Sequence, residues 1–78
     1  MPKLPRLTGA DLVRALERAG FAITRRRGSH VQLRREDADG TVTTFPAPVH
    51  SGKMIKPGTL RGILRLARIN VEQLIHLL

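Results

Sequence analysis

Cysteine, tryptophan and tyrosine are absent from the 78 residues. Without cysteine there are no disulfide staples or thiolate metal sites, as in proteins of a reducing compartment. Without Trp and Tyr, Phe21 and Phe45 are the only aromatic rings, 3% of the chain, too few for a platform on which nucleobases stack. Acidic side chains are scarce too: 6 Asp and Glu stand against 14 Lys and Arg, a formal charge of +8. That balance rules out an acidic or neutral binder and invites a polyanion. No apolar run approaches the ~18 residues of a membrane span, and Met1-Pro2-Lys3-Leu4-Pro5-Arg6 contains no signal-like apolar core, so a soluble, cytoplasmic protein with no membrane role is expected. The three scattered histidines lack zinc spacing and Glu36-Asp37-Ala38-Asp39-Gly40 is too short for a calcium loop, so no metal or other cofactor is expected.

Apolar residues make up 41%, enough for one core, and the elements follow one another without repeat or linker. A single domain over residues 1–78 is implied, with its ordered core from about residue 7, and at this size it buries roughly 60% of its unfolded surface. Thr8 and Asp11 form a helix start with Leu7 and Leu12 at staple positions. Leu12, Val13, Leu16 and Ala19 recur at helical spacing until Gly20 can end the helix, which is predicted over about 9–19.

From Phe21 the period becomes two, with Phe21 and Ile23 before Gly28-Ser29 and Val31 and Leu33 after it, which predicts a hairpin. A three-residue turn, Arg27-Gly28-Ser29, would pair Arg26 with His30 and Ile23 with Leu33, keeping the apolar residues on one face. Thr24, Arg26, His30, Gln32 and Arg34 would then share the opposite face. A third strand is predicted from Thr41 to about Val49, with Phe45, Ala47 and Val49 facing inward. Pro46 and Pro48 have one parity, so their missing N–H groups point to an open edge and the second strand is central. Val42 has the wrong parity for the Phe45 face, which suggests a twist or bulge.

Pro57-Gly58-Thr59 opens a second helix with an apolar stripe of Leu60, Ile63, Leu64 and Ala67 and a basic one of Arg61, Arg65 and Arg68. Asn70 with Gln73 caps a short last helix carrying Val71, Leu74, Ile75 and Leu78. The expected architecture is α+β: an α-β-β-β-α-α chain making a two-layer sandwich, with a three-stranded antiparallel sheet, helices on one face and the other face open.

Positive charge concentrates at Arg25-Arg26-Arg27, Arg34-Arg35, Lys53, Lys56 and the second helix, so an open basic sheet face could take nucleic acid by its phosphates. His30 lies at the hairpin mouth. An exposed strand histidine is often without a role, yet a neutral imidazole among arginines can take a proton from a ribose 2′-hydroxyl while the cations hold phosphate. His50 is a secondary candidate, or a histidine bonded to its own loop. His76 reads as a surface or core-edge residue.

Thr8-Gly9-Ala10-Asp11-Leu12, Gly20-Phe21, Gly28-Ser29-His30, Pro48-Val49-His50 and Pro57-Gly58-Thr59-Leu60-Arg61-Gly62-Ile63-Leu64-Arg65 together resemble the HicA toxins of bacterial HicAB toxin–antitoxin pairs. The resemblance covers nearly the whole chain. It implies a double-stranded-RNA-binding-domain-like fold and a metal-independent endoribonuclease, an mRNA interferase, in which the Gly-Ser-His histidine, His30, is catalytic. It also implies a HicB-like antitoxin that occludes that histidine. The expected RNA contacts are Arg25, Arg26, Arg27, Ser29, Arg34, Lys53, Lys56 and Arg61. A non-catalytic RNA-binding module of the same fold and a basic adaptor for an acidic protein are the alternatives.

Overall fold

The computed structural model describes residues 3–78; Met1 and Pro2, part of the expected domain, lie outside the described residues. The elements are α1 (Gly9–Arg18), β1 (Ala22–Arg27), β2 (His30–Glu36), β3 (Val42–Pro48), α2 (Pro57–Ala67) and α3 (Val71–Leu77). The strands form one antiparallel sheet in the order β1-β2-β3, so the proline-bearing β3 is an edge and β2 is central. The helices cover one face, giving the α+β sandwich of a double-stranded-RNA-binding-domain-like fold.

Local chemistry sets the helix ends. The Thr8 hydroxyl accepts from the Asp11 N–H and the Asp11 carboxylate accepts from the Thr8 N–H, both at 3.2 Å. Asn70 and Gln73 repeat this reciprocal box on α3 at 2.7 and 2.8 Å. Beyond α1, Gly20 takes φ +100°, a conformation that glycine adopts at little cost. At the end of α2 the left-handed position belongs to Arg68, at φ +58°, the only non-glycine residue with positive φ among the described residues.

One cluster forms the core: Leu12 and Leu16 of α1, Leu33 of β2, Phe45 and Ala47 of β3, Leu60 and Leu64 of α2, and Leu74 of α3, with Leu7, Phe21 and Ile69 closing its margins. Phe21 meets Phe45 edge-on, with centroids 5.2 Å apart. No polar side chain is buried among the described residues. Arg35 is partly buried, lying over the Phe21 ring at 4.5 Å and donating to the Ala19 and Ala67 carbonyls at 3.3 Å each. One guanidinium thus serves carbonyls at the ends of both α1 and α2, where the helix dipole favours a cation.

Val42 needs no bulge. It pairs in regular register with Glu36 and is exposed on the open face. The third strand closes at Pro48, one residue short of its expected end.

Candidate nucleic-acid interface

The hairpin departs from the expected register. Arg27 pairs with His30, leaving a two-residue turn, Gly28-Ser29, in which Gly28 has φ +57° at the position where a type II′ turn places glycine. Continued without interruption, that register would set Ile23 against Arg34. The ladder slips between Ile23 and Arg25, where Thr24 is the extra residue of a bulge, and Ile23 regains Leu33 as its partner. The expected apolar pairing is present; it is reached through a bulge and not through a longer turn.

The slip changes which arginines stand beside His30. Arg27 opposes His30 and Arg25 opposes Gln32, so both share its face. Arg25, Arg27, His30, Gln32 and Pro46 line a depression of about 190 Å³ on the open face. Arg26 does not belong there. It opposes the buried Val31 and borders a different depression, with Val13, Arg14 and Glu17, on the helix side. Gln32 donates to the Thr44 hydroxyl at 2.7 Å across the open face, and Arg34 on that face reaches Glu36 at 3.0 Å. Ser29 is half-buried in the turn and its carbonyl accepts the Val49 N–H.

His50 follows from the end of β3. Pro48 opposes His30, and Val49, bonded to Ser29 at 2.6 Å, ties the Pro48-Val49-His50 segment to the turn that carries His30. Gly9 packs against this segment so closely that a Cβ there would fall 2.7 Å from the Val49 Cα and nearer still to the Pro48 carbonyl oxygen. The chain then turns, with the Lys53 N–H donating to the His50 carbonyl at 3.1 Å, and runs back along the start of α1, where the Ile55 N–H meets the Leu7 carbonyl at 2.7 Å. His50, Lys53, Lys56 and Thr59 consequently surround a second depression, of about 340 Å³, floored by Gly9 and Pro48. His76 is exposed on α3, away from both depressions.

Charge separates by sign. Glu36, Asp37 and Asp39 lie at the β2–β3 turn, at the opposite end of β2 from His30, about 20 Å away at ~3.4 Å per residue. Asp11, Glu17 and Glu72 are on α1 and α3, and no carboxylate lines either depression near the histidines. The ion pairs among the described residues are Arg14–Asp11, Arg34–Glu36, Arg35–Asp37 and Arg68–Asp37. Arg25, Arg27, Lys53, Lys56 and Arg61 are in none of them. Two arginines of the expected basic surface have other tasks: Arg35 is the helix-end clamp, and Arg68 turns back to Asp37 at 3.1 Å and to the Thr43 hydroxyl at 2.8 Å. Lys3 and Arg6 join the basic surface beside Lys56 and Arg61. Sequence spacing held no signal for this, because the contact depends on a long-range bridge between Thr8 and Met54.

No group of three His, Asp or Glu side chains stands together as a metal site among the described residues. No helix among them is long and apolar enough to cross a membrane. A comparison with curated proteins found no match. The family described as HicA toxin of bacterial toxin-antitoxin matches residues 9–69, from the first residue of α1 to the buried Ile69 beyond α2. That span contains α1, the whole sheet, both depressions and α2, and over it the chain belongs to the HicA family, the toxins of bacterial toxin–antitoxin pairs, with a cognate antitoxin as the implied partner.

Proposed function

We propose that this toxin is a metal-independent endoribonuclease that cuts mRNA in the cytoplasm, with His30 as the proton-transfer group. The carrying observation is the depression in which His30 stands with Arg25 and Arg27, free of carboxylates and open to solvent. A neutral His30 takes the proton of a ribose 2′-hydroxyl; the oxygen bonds to its own phosphorus, and the bond from phosphorus to the next residue's 5′ oxygen breaks. Arg27 and Arg25 stabilise the added charge at phosphorus. His50, two residues past the cross-strand partner of His30, is the candidate donor of the proton that the leaving oxygen requires. The products are a 2′,3′-cyclic phosphate and a 5′-hydroxyl.

Ser29, Arg34, Lys53, Lys56 and Arg61 guide the strand to this point. Arg34 gives up little to do so, since an exposed ion pair such as Arg34–Glu36 contributes about 0–1 kcal/mol. Arg26, on the helix side, has no part in the assignment. The HicB-like antitoxin silences the toxin by covering the His30 depression.

The test is an RNA oligonucleotide carrying a single deoxyribose at the cleaved position, incubated with EDTA beside an all-RNA control. The control is cut and the deoxy substrate resists; His30→Ala, whose side chain adds little to the core, folds normally and cuts neither. Cleavage of the deoxy substrate, or a His30→Ala protein that cuts at the wild-type rate, refutes the mechanism.

A further inference from the structure

A further cleft lies outside the depression in which His30 stands. It has a volume of about 670 Å³ and lies between the segment before α1 and the start of α2. Its rim carries four cations, Lys3, Arg6, Lys56 and Arg61, and its floor is apolar, with Leu4, Met54 and Pro57. No carboxylate lines it, and Lys3, Arg6, Lys56 and Arg61 take part in none of the ion pairs among the described residues. Met54 is 54% exposed, a large apolar side chain held in solvent among cations.

The cleft adjoins the His50 depression. Met54, Ile55 and Lys56 line both. Pro48 lines the His50 depression and is the cross-strand partner of His30. No carboxylate lines any of the three, neither the depression with Arg25 and Arg27, nor the one with Pro48 and Lys53, nor the cleft with the Lys3–Arg6–Arg61 rim.

We infer that this cleft is a second RNA subsite, which takes an unpaired nucleotide of the bound strand beyond the His50 depression, its phosphates on Lys3, Arg6 and Arg61 and its base against Met54 and Pro57. The inference rests on the ribonuclease reading above and adds to it the substrate class: a single strand. Its volume lies within the ~300–1,000 Å³ typical of clefts that accept small organic groups. A duplex would offer the rim only phosphates and leave the apolar floor unused, because its bases are already stacked. An unpaired nucleotide offers both, and in a chain without Trp or Tyr an aliphatic floor is what remains for a base to cover.

The test uses the His30→Ala protein, so that RNA is bound and not consumed, and follows the fluorescence anisotropy of a labelled single-stranded dodecaribonucleotide across a salt series. Lys3→Gln and Arg6→Gln together remove two exposed rim charges outside the core. The slope of log affinity against log salt should fall by about 1.4, since each phosphate contact on a single strand contributes ~0.7. Equivalently, the affinity gap between the two proteins should widen roughly 25-fold as salt falls from 1 M to 0.1 M. Met54→Glu, which places a carboxylate on the floor, should weaken binding as well, and more for the single strand than for a duplex of the same sequence. An unchanged slope in the double variant overturns the inference and leaves the ribonuclease reading intact. Unchanged RNA binding with weakened capture of the purified cognate antitoxin also overturns it and makes the cleft a protein-docking site. Failure of the parent protein to bind RNA at all overturns both readings.

Discussion

Gly9→Ala is the substitution that most directly tests how the histidine segments are held. An added Cβ would sit 2.7 Å from the Val49 Cα, whereas carbon atoms at rest lie about 3.5–4.0 Å apart, so one side must move by roughly 0.8 Å or more. α1 cannot easily yield, because Leu12, Ala15 and Leu16 are fully buried in the core. The Pro48-Val49 segment moves instead, and with it the 2.6 Å bond from Val49 to Ser29, next to His30. Overpacking of this kind costs about 1–3 kcal/mol, and because Gly9 is the first residue of α1 and not in its interior, little of the ~0.5–1 kcal/mol gained by replacing a mid-helix glycine offsets it. Gly62→Ala is the matched control. Gly62 is inside α2, and a Cβ added there would meet nothing within 4 Å, so the same replacement should stabilise by about 0.5–1 kcal/mol. Equilibrium urea unfolding of both variants reads the two signs, and cleavage of a fixed RNA should fall for Gly9→Ala, up to the ~100-fold that a misplacement near 1 Å can cost. If Gly9→Ala unfolds at the same or higher urea concentration than the parent, with the Val49 amide equally protected from exchange, the close approach does not exist and the reasoning fails.

Arg35→Met should lower stability by about 2–4 kcal/mol, measured by urea unfolding, because the Phe21 contact and two carbonyl hydrogen bonds are lost together; the salt slope of RNA binding should not change. Arg25→Gln and Arg27→Gln should each reduce RNA cleavage at least tenfold, whereas Arg26→Gln should reduce it far less; equal effects from all three would contradict the two-residue turn and its bulge. The Thr8 N–H, with lesser help from the Thr8 hydroxyl and Arg14, holds the Asp11 carboxyl below its usual 3.8. A carboxyl whose folded value is depressed adds stability above the unfolded value and loses it as pH falls through the folded one, so the stability gap between the parent and Asp11→Asn should be present at neutral pH and close in the acid range below 3.8, as followed by unfolding at a series of pH values.

Elements whose cause is local were legible in the sequence. The Thr8–Asp11 and Asn70–Gln73 boxes need only residues three apart, and both are formed. The prolines of β3 fixed the strand order for a similar reason, since a missing N–H can be tolerated only where no neighbour asks for it. What was not legible depends on distant partners. Arg35 and Arg68 look like surface charge until Phe21, Ala67, Asp37 and Thr43 come into place around them. Lys3 and Arg6 had no reason to be counted with α2 before the Thr8–Met54 bridge joins their segment to it.

The bulge at Thr24 shows how a correct hydrophobic argument can still misplace a site. Two demands act on the hairpin: Gly28-Ser29 favours a two-residue turn, and the core requires Ile23 beside Leu33. Parity makes these incompatible in a regular ladder, and a longer turn is the simplest reconciliation that a sequence alone suggests. The chain instead keeps the tight turn and absorbs the mismatch halfway along β1, where one unpaired residue in an edge strand costs little. Both solutions bury the same apolar residues, so burial cannot distinguish them. They differ on the open face, where the longer turn would put Arg26 beside His30 and the bulge puts Arg25 and Arg27 there, two cations for one. The turn chemistry, and not the hydrophobic pattern, therefore decides how much positive charge a phosphate would meet at His30.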